Sequence, residues 1–408
     1  MRAKIADWFF RLPAGLAGPL WRTLQPLRQA AHRVGERRAD RRLPVRRAVI
    51  EGARAALVGH LSDPLRFHFS MPPFTSLTAG PPEADMPRGE LPAALESLSR
   101  EADLVYVSLS DARAPGTWRA SAFRVPLAVQ SVLDLPEDRE TLMARIRNRE
   151  TRKEFNKFDR AGFTVEISRD PTVGRLFYER FHVPFIRGRH GRDAMMLSLR
   201  PFLCLLREGE LLLVKRDGEP VSGVVCRREG SVYRTEYSGV REGDPQLVRE
   251  GALAAEYYFS ILRAHELGCR RIYFGISQPF LDNGILLFKK KWGGQLEPSH
   301  EDRRHLYLLI PRYTESVARL LEAHPPIVHG PDGLAGLVAV NETRRRDPAG
   351  LHSRLRHQAC PGLNALYLVN TGTRAEEGPT DLPLAWHAVM AVPDQPLTPA
   401  GLFGPQTA

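Results

Sequence analysis

Residues 211–240 carry the pattern that most restricts the fold. Leucine and valine dominate 211–216, Asp217-Gly218 follows, and 221–227 is again largely apolar and β-branched. Asp-Gly tolerates the positive φ values that a tight hairpin turn demands, so this stretch predicts a β-hairpin, with Pro220 acceptable at a strand start. A second turn at Glu229-Gly230 leads into 231–240, where Tyr233, Thr235 and Tyr237 share one face and Arg234 and Glu236 the other. A long helix from about Leu247 comes next, with Leu253, Tyr257 and Ile261 on one stripe and Gly268 as its stop. A strand at 271–275 and a helix bearing Lys289, Lys290 and Lys291 complete the order. Three antiparallel strands, helix, strand, helix specifies a mixed α/β fold with a largely antiparallel sheet flanked by helices.

On the last helix Ile285, Phe288 and Trp292 fall on one face, and Lys289, one turn beyond Ile285, lies at the edge of that apolar stripe. Lys289 is therefore the lysine placed to enter a cleft, although a lysine in such a run is commonly a solvated helix end. Lys290 and Lys291 turn further around the cylinder toward solvent. Upstream, 103–109 and 123–135 read as strands, and Pro136 opens a helix whose first turn holds Glu137, Asp138 and Glu140, the charge a helix N-terminus favours. That helix is expected to run to about Arg160 and stop at Gly162. Arg145, Arg149, Lys153 and Lys157 recur every fourth residue along it, a like-charge spacing that costs a few tenths of a kcal/mol per pair. Such a stripe suits phosphates; an ordinary exposed helix face is the alternative.

Charge is uneven along the 408 residues. The net charge is +11, yet residues 1–60 hold thirteen Lys/Arg against four Asp/Glu. Trp8, Phe9, Phe10, Leu20, Trp21, Leu24 and Leu27 alternate with these arginines, the make-up of an arm that lies on an anionic membrane surface, approaches a phosphate-rich partner such as tRNA, or packs as a solvated helix. No run approaches the roughly 18 apolar residues of a membrane span, and Pro13 and Pro19 break the N-terminal apolar segment. The four cysteines are scattered without a Cys-x-x-Cys pair and read as thiols of a reducing cytoplasm. No metal-ligand spacing, Gly-x-Ser-x-Gly elbow or Walker loop occurs.

The ordered pieces Leu133-Asp134-Leu135, Ala161-Gly162-Phe163-Thr164-Val165, Phe177-Tyr178, Arg189-His190-Gly191, the hairpin 214–223, Tyr237-Ser238-Gly239 and Phe288-Lys289-Lys290-Lys291-Trp292-Gly293-Gly294 span roughly 133–295. In that order they resemble the GNAT superfamily of acyltransferases, and more closely its Fem-type branch of peptidoglycan aminoacyltransferases and their acetyltransferase-like relatives. The resemblance implies a GNAT-like core over 171–325 and a divergent GNAT-like half over 61–170. Local composition adds the basic arm over 1–60, a small appended α/β element over 326–390 with strands at 334–340 and 365–368 and a helix at 349–358, and a Pro/Gly-rich tail over 391–408 that reads as disordered. Two departures stand out. Relatives commonly carry an Asp before Phe-Gly and a basic residue after it, where this chain has Tyr273 and Ile276. The turn that presents backbone N–H groups to the CoA pyrophosphate in the classical enzymes reads Arg241-Glu242-Gly243-Asp244-Pro245-Gln246, with two acids and a proline.

By this resemblance the chain transfers an acyl, acetyl or aminoacyl group to an amine of a cell-envelope or polysaccharide precursor. It would have no tightly bound cofactor or metal, with acyl-CoA or aminoacyl-tRNA as donor, acting in the cytoplasm or on the inner face of the membrane. Lys289 would bind a phosphate or stabilise the tetrahedral intermediate, backbone N–H groups around 237–239 would face the oxyanion, Tyr237 would donate to the leaving group and His190 would serve as base. Arg189, Phe288, Trp292, Glu256, Arg149 and Lys153 would contact substrate. The sequence also allows plainer roles: Tyr237 as a core aromatic, His190 as a surface residue and Glu256 as an exposed one. Two rival functions remain open, an acetyl-CoA-dependent N-acetyltransferase of another amine and a non-catalytic module that docks on membrane or RNA.

Overall fold

The computed structural model describes residues 35–36, 38–110, 118–190, 196–299, 304–341, 347–370 and 384–403. In chain order its strands are β1 (Arg42–Ile50), β2 (Ala53–Val58), β3 (Ala84–Pro87), β4 (Leu104–Leu109), β5 (Phe123–Val125), β6 (Val129–Asp134), β7 (Thr164–Ser168), β8 (Glu210–Arg216) and β9 (Glu219–Glu229). They continue with β10 (Val232–Val240), β11 (Arg271–Ser277), β12 (Gln295–Pro298), β13 (His305–Leu309), β14 (Ile327–Gly330), β15 (Gly333–Val340), β16 (Leu363–Asn370) and β17 (Ala385–Met390). Contacts divide the chain into two units, each assembled from separated stretches.

The first unit comprises Ser131–Gly275 with Lys289–Gly294. Its strands stand in the order β6-β11-β10-β9-β8-β7. β7 through β10 are antiparallel neighbours, and β11 joins β10 in parallel after the helix Ala252–Glu266. The β8–β9 hairpin closes through Asp217 and Gly218, both at positive φ (52° and 82°), the conformation Asp-Gly is suited to. One sheet face packs Leu211, Leu213 and Val225 against Phe177, Phe181, Phe202 and Leu206 of the helices around 171–208. On the other face Val214, Val221 and Val240 meet Ala252 and Ala255 of the helix Ala252–Glu266. Small residues on this helix let it lie close to the sheet, which decides the fate of the carboxylate next to Ala255.

The second unit comprises Leu27–Gln130, Ile276–Phe288 and Gln295–Ala408. One of its sheets has the order β3-β1-β2-β4-β13-β5, the other β14-β15-β16-β17. The helix Leu91–Glu101 buries Leu91, Leu95 and Leu98 against Val45, Val105 and Val107. The opposite face of the first sheet and one face of the second share a core that includes Phe69, Phe74, Tyr106, Phe280, Leu337 and Tyr367.

Several expectations change here. Within the expected arm, 42–50 and 53–58 form a hairpin covered on both faces, with Leu43, Val45, Ala56 and Val58 in one core and Ile50, Ala53, Ala55 and Leu57 in another; residues 1–34 lie outside the described residues. The segment 123–135 is two strands, since Pro126 lacks the N–H that a continuous ladder needs. The helix expected over 136–160 is two helices, Arg139–Ile146 and Arg152–Ala161. At the break the Asn148 side chain accepts from the amides of Glu150 and Thr151, and the Thr151 hydroxyl donates to the Ile146 carbonyl. These local bonds outcompete the helical ladder, so Arg145, Arg149, Lys153 and Lys157 do not share one helical stripe. In the tail, Ala391, Leu397 and Leu402 are buried and Pro399–Phe403 is helical; residues 404–408 lie outside the described residues. Within 326–390 the expected strands at 334–340 and 365–368 and helix at 349–358 are present as β15, β16 and Pro348–Gln358.

Candidate functional site

β10 and β11 begin as parallel partners and then separate. Their ladder pairs Val232 with Arg271, Tyr233 with Ile272 and Arg234 with Tyr273, and goes no further. Thr235 Oγ1 still donates to the Tyr273 carbonyl at 3.0 Å. Beyond it, Glu236 is an extra residue in the β9–β10 register, a bulge that turns its strand. At the same level Gly275 takes φ 75°, which only glycine adopts without strain. Two bends at one level end the pairing of β10 with β11.

Lys289 occupies the point of separation. It is 3% exposed, and its Nζ donates to the Gly275 carbonyl at 3.0 Å. A Cβ placed on Gly275 would lie 3.8 Å from the Thr235 carbonyl oxygen and 4.0 Å from Lys289 Nζ, which sets the amine beside both strands. Burial pushes its pKa down to about 7, because desolvation penalises the ammonium. The helical phase differs from the expected one. On the helix Gly284–Lys291, Leu286 and Lys289 are buried, Phe288 is half-buried and Ile285 is 37% exposed, so Lys289 belongs to the inward stripe rather than its edge.

The residues after Lys289 explain how it is held. Gly293 N–H donates to the Lys290 carbonyl and Gly294 N–H to the Lys289 carbonyl, with Gly293 at φ 83°. This is a Schellman stop, in which the Lys289 carbonyl is an acceptor of the last turn and the two glycines are the residues just past the helix. A side chain on Gly294 would reach 2.9 Å from the Lys289 carbonyl oxygen. Trp292 is fully buried, with its ring near those of Phe158, Tyr257 and Phe155. Its Nε1 has no hydrogen-bond partner. Lys291 is not turned to solvent: it pairs with the buried Glu154, which Lys157 also approaches at 3.3 Å.

A second polar group lies on the sheet face under the helix Ala252–Glu266. Glu256, expected at the surface, is 1% exposed, because it follows Ala252 by one turn on the face that meets β9 and β10. Neither carboxylate oxygen has a hydrogen-bond partner. Desolvation raises its pKa well above the usual carboxylate value; Ser238, Ser222, the Gly223 amide and the Arg189 charge oppose the shift without cancelling it. The Ser222 hydroxyl donates instead to the Ala252 carbonyl at 2.9 Å. Burial likewise raises the pKa of the neighbouring Tyr257, whose ring packs on Phe274.

His182 lies on the other sheet face, beside Tyr237 and Phe202, and was not anticipated from the sequence. Its Nδ1 lies 2.8 Å from the Ser238 carbonyl, while the buried Nε2 has no partner. Burial lowers its pKa, partly offset by the Ser238 bond. Tyr178–His182 is a π-helical turn, a form with one extra residue that is frequent at functional sites. It fits against β10 because Gly239 has no side chain: a Cβ there would come within 2.7 Å of the His182 amide nitrogen. The sequence signal was Phe177, Phe181 and His182 at steps of four and one, but nothing in that spacing distinguishes a π turn from an α turn.

The remaining expected residues are dispersed. Tyr237 lies on the opposite sheet face from Glu256, its ring edge-on to His182 at 5.4 Å and near Phe202 at 6.0 Å. Arg189 and His190 end the helix Val183–His190 rather than sitting in a loop, since Pro184 fits the first turn of a helix. Arg189 is the exception: although its residue is exposed overall, its guanidinium lies 4.7 Å from the Phe185 ring centroid, desolvation lowers its pKa, and its charge acts on Glu256 and Tyr257; the His190 side chain lies outside the described residues. Arg149 and Lys153 are both exposed and belong to neither cluster. Tyr273, where relatives carry an Asp, lies under the Arg234 guanidinium at 4.8 Å, and Ile276 is 44% exposed. In the 241–246 turn, Glu242 pairs with Arg180 and a Cβ on Gly243 would approach the Pro184 carbonyl oxygen to 2.9 Å. Among the described residues no group of three or more His, Cys, Asp or Glu could hold a metal ion, and no helix is long and apolar enough to cross a membrane.

No protein-family model and no curated protein matches the chain. Among solved structures it is similar to FemX, at 15% identity over 63% of this chain and 80% of that one, with a TM-score of 0.35. It is also similar to the C-terminal domain of a putative lysylphosphatidylglycerol synthetase from Agrobacterium fabrum, at 12% identity over 65% and 79%, TM-score 0.33. A putative GNAT-family acetyltransferase from Novosphingobium aromaticivorans aligns at 14% identity over 53% and 80%, TM-score 0.28. With TM-scores below 0.5 these likenesses carry no weight for function.

Proposed function

We propose that the chain is an acyltransferase that moves an acyl, acetyl or aminoacyl group from an activated ester or thioester to an amine, with Lys289 carrying the proton. The observation behind this reading is a desolvated lysine, with a pKa near neutrality, held where two parallel strands part. Positioning alone removes about 7 to 11 kcal/mol of the barrier to such a reaction. The attacking nitrogen bonds to the carbonyl carbon, neutral Lys289 takes the proton the amine sheds, and the resulting ammonium returns it to the departing oxygen or sulfur as that bond breaks. A pKa near the operating pH is what a group that both accepts and donates requires. Backbone N–H groups of 237–239, past the end of the β10–β11 ladder, would face the oxyanion, one donor being worth roughly 3 kcal/mol.

The turn at 241–246, packed on Pro184 and carrying the Glu242 carboxylate, favours a donor that does not rest a pyrophosphate there, such as aminoacyl-tRNA. The acceptor in this reading is an amine of an envelope or polysaccharide precursor, met at the inner face of the membrane, where residues 1–34 bind anionic lipid. Purified protein offered acyl-CoAs and aminoacyl-tRNA with candidate amines, followed by mass shift, tests the reaction. Lys289→Ala should abolish transfer in a folded protein. Lys289→Arg, charged at every accessible pH, should fail to restore it, and kcat/KM should rise with an apparent pKa near 7. Full activity of either variant would remove Lys289 from the reaction.

A further inference from the structure

A second site is built into the other unit, away from any residue used above. Where the edge strands β5 and β14 come together beside β13, a cavity of about 270 Å³ is lined by Arg124, Arg304, His305, His329 and Ser299, with Leu127 among its apolar walls. Arg124 is exposed. Arg304 is buried and fixed from behind, its guanidinium bound to Asp40 at 3.0 Å and to the Ser108 carbonyl and hydroxyl at 3.0 and 3.1 Å. Asp40 compensates Arg304, and no acid lines the cavity among the described residues. Arg124 comes from β5, His305 and Arg304 from β13 or its start, and His329 from β14, so each of these strands contributes a cationic or protonatable group.

We infer that this cavity binds the phosphate group of a small ligand. A tetrahedral dianion offers acceptors to a guanidinium and two imidazoles at once, and charge-assisted bonds of this kind are the strong ones. The volume holds a phosphate with a few further atoms and is too small for a nucleotide-sized ligand. The state of His329 without an anion agrees: its pKa is lowered to about 4 by burial and by the charges of Arg124 and His305, an excess of positive potential that a dianion would cancel.

The full chain, with histidine Cε1–H resonances followed by NMR, is titrated with inorganic phosphate at constant ionic strength against chloride. Saturable shifts of His329 and His305, with the apparent pKa of His329 moving up by at least one pH unit, are expected. Arg124→Gln should weaken phosphate at least tenfold while leaving the remaining histidine resonances in place. Methyl phosphate binding as well as inorganic phosphate identifies a phosphomonoester ligand; inorganic phosphate alone identifies free phosphate. A response that chloride reproduces, or an affinity unchanged in Arg124→Gln and His329→Gln, overturns the assignment.

Discussion

The position of Lys289 makes its ionisation part of the stability of the fold. Its pKa falls from 10.5 to about 7 on folding, so between those values the unfolded chain binds more protons than the folded one. Stability must then rise with pH across that window, at up to about 1.4 kcal/mol per pH unit, with the full cost of the buried charge present below pH 7. Glu256 acts in the opposite sense: its raised pKa means that stability falls as pH rises through the folded value. Comparing wild type with Lys289→Met isolates the lysine, since Glu256 is common to both. Urea unfolding at pH 7 and pH 9 should show the difference moving by about 2 to 3 kcal/mol in favour of wild type at the higher pH. A difference that does not change with pH would mean that the ammonium is solvated in the folded protein.

Elements were legible where turn chemistry spoke and illegible where side chains overrode period. Asp217-Gly218, Gly162 and Gly268 marked a hairpin and two helix ends, because positive φ admits few residues. The cationic run of the sequence also contained its own explanation, since Lys-Lys-Lys-Trp-Gly-Gly is the last turn of a helix and its Schellman stop. Its phase was misjudged by counting apolar residues, which placed Ile285 inward and left Lys289 at the edge. Nothing local announced the Asn148–Thr151 break or the burial of Glu256, for both depend on what lies opposite. The π turn at His182 is of this kind, and Gly239 is the residue that permits it. Gly239→Ala forces a Cβ against backbone atoms of Phe181 and His182 at 2.7 to 2.9 Å, which a rotamer change cannot relieve. A loss of about 1 to 3 kcal/mol is expected in thermal or urea unfolding, together with a changed His182 resonance. Unaltered stability would show that the turn is not packed on β10.

At the scale of the whole chain, net charge was a poor guide until the fold divided it. Residues 1–60 hold thirteen cationic side chains, but those from 42 onward belong to a folded hairpin and are largely committed. Arg42 pairs with Asp85, Arg47 with Glu83 and Glu101, and Arg54 with Asp103. Of the nine cationic side chains that precede 42, six lie in 1–34 against one acid, interspersed with Trp8, Phe9, Phe10 and Trp21, so most of the surplus left for a partner is there. Each basic residue near an anionic surface is worth about 1 kcal/mol, screened within a Debye length, and the aromatic residues add a contribution that salt does not weaken. Sedimentation with vesicles containing 30% phosphatidylserine, on the order of common anionic leaflets, should capture the full chain at 0.1 M salt and release most of it at 0.5 M. Removing 1–34 should abolish capture while the unfolding midpoint stays in place, because the hairpin core of β1 and β2 begins after the deletion. Retained binding by the shortened chain would move the membrane contact to the folded units, and loss of the unfolding transition would make the arm part of the fold.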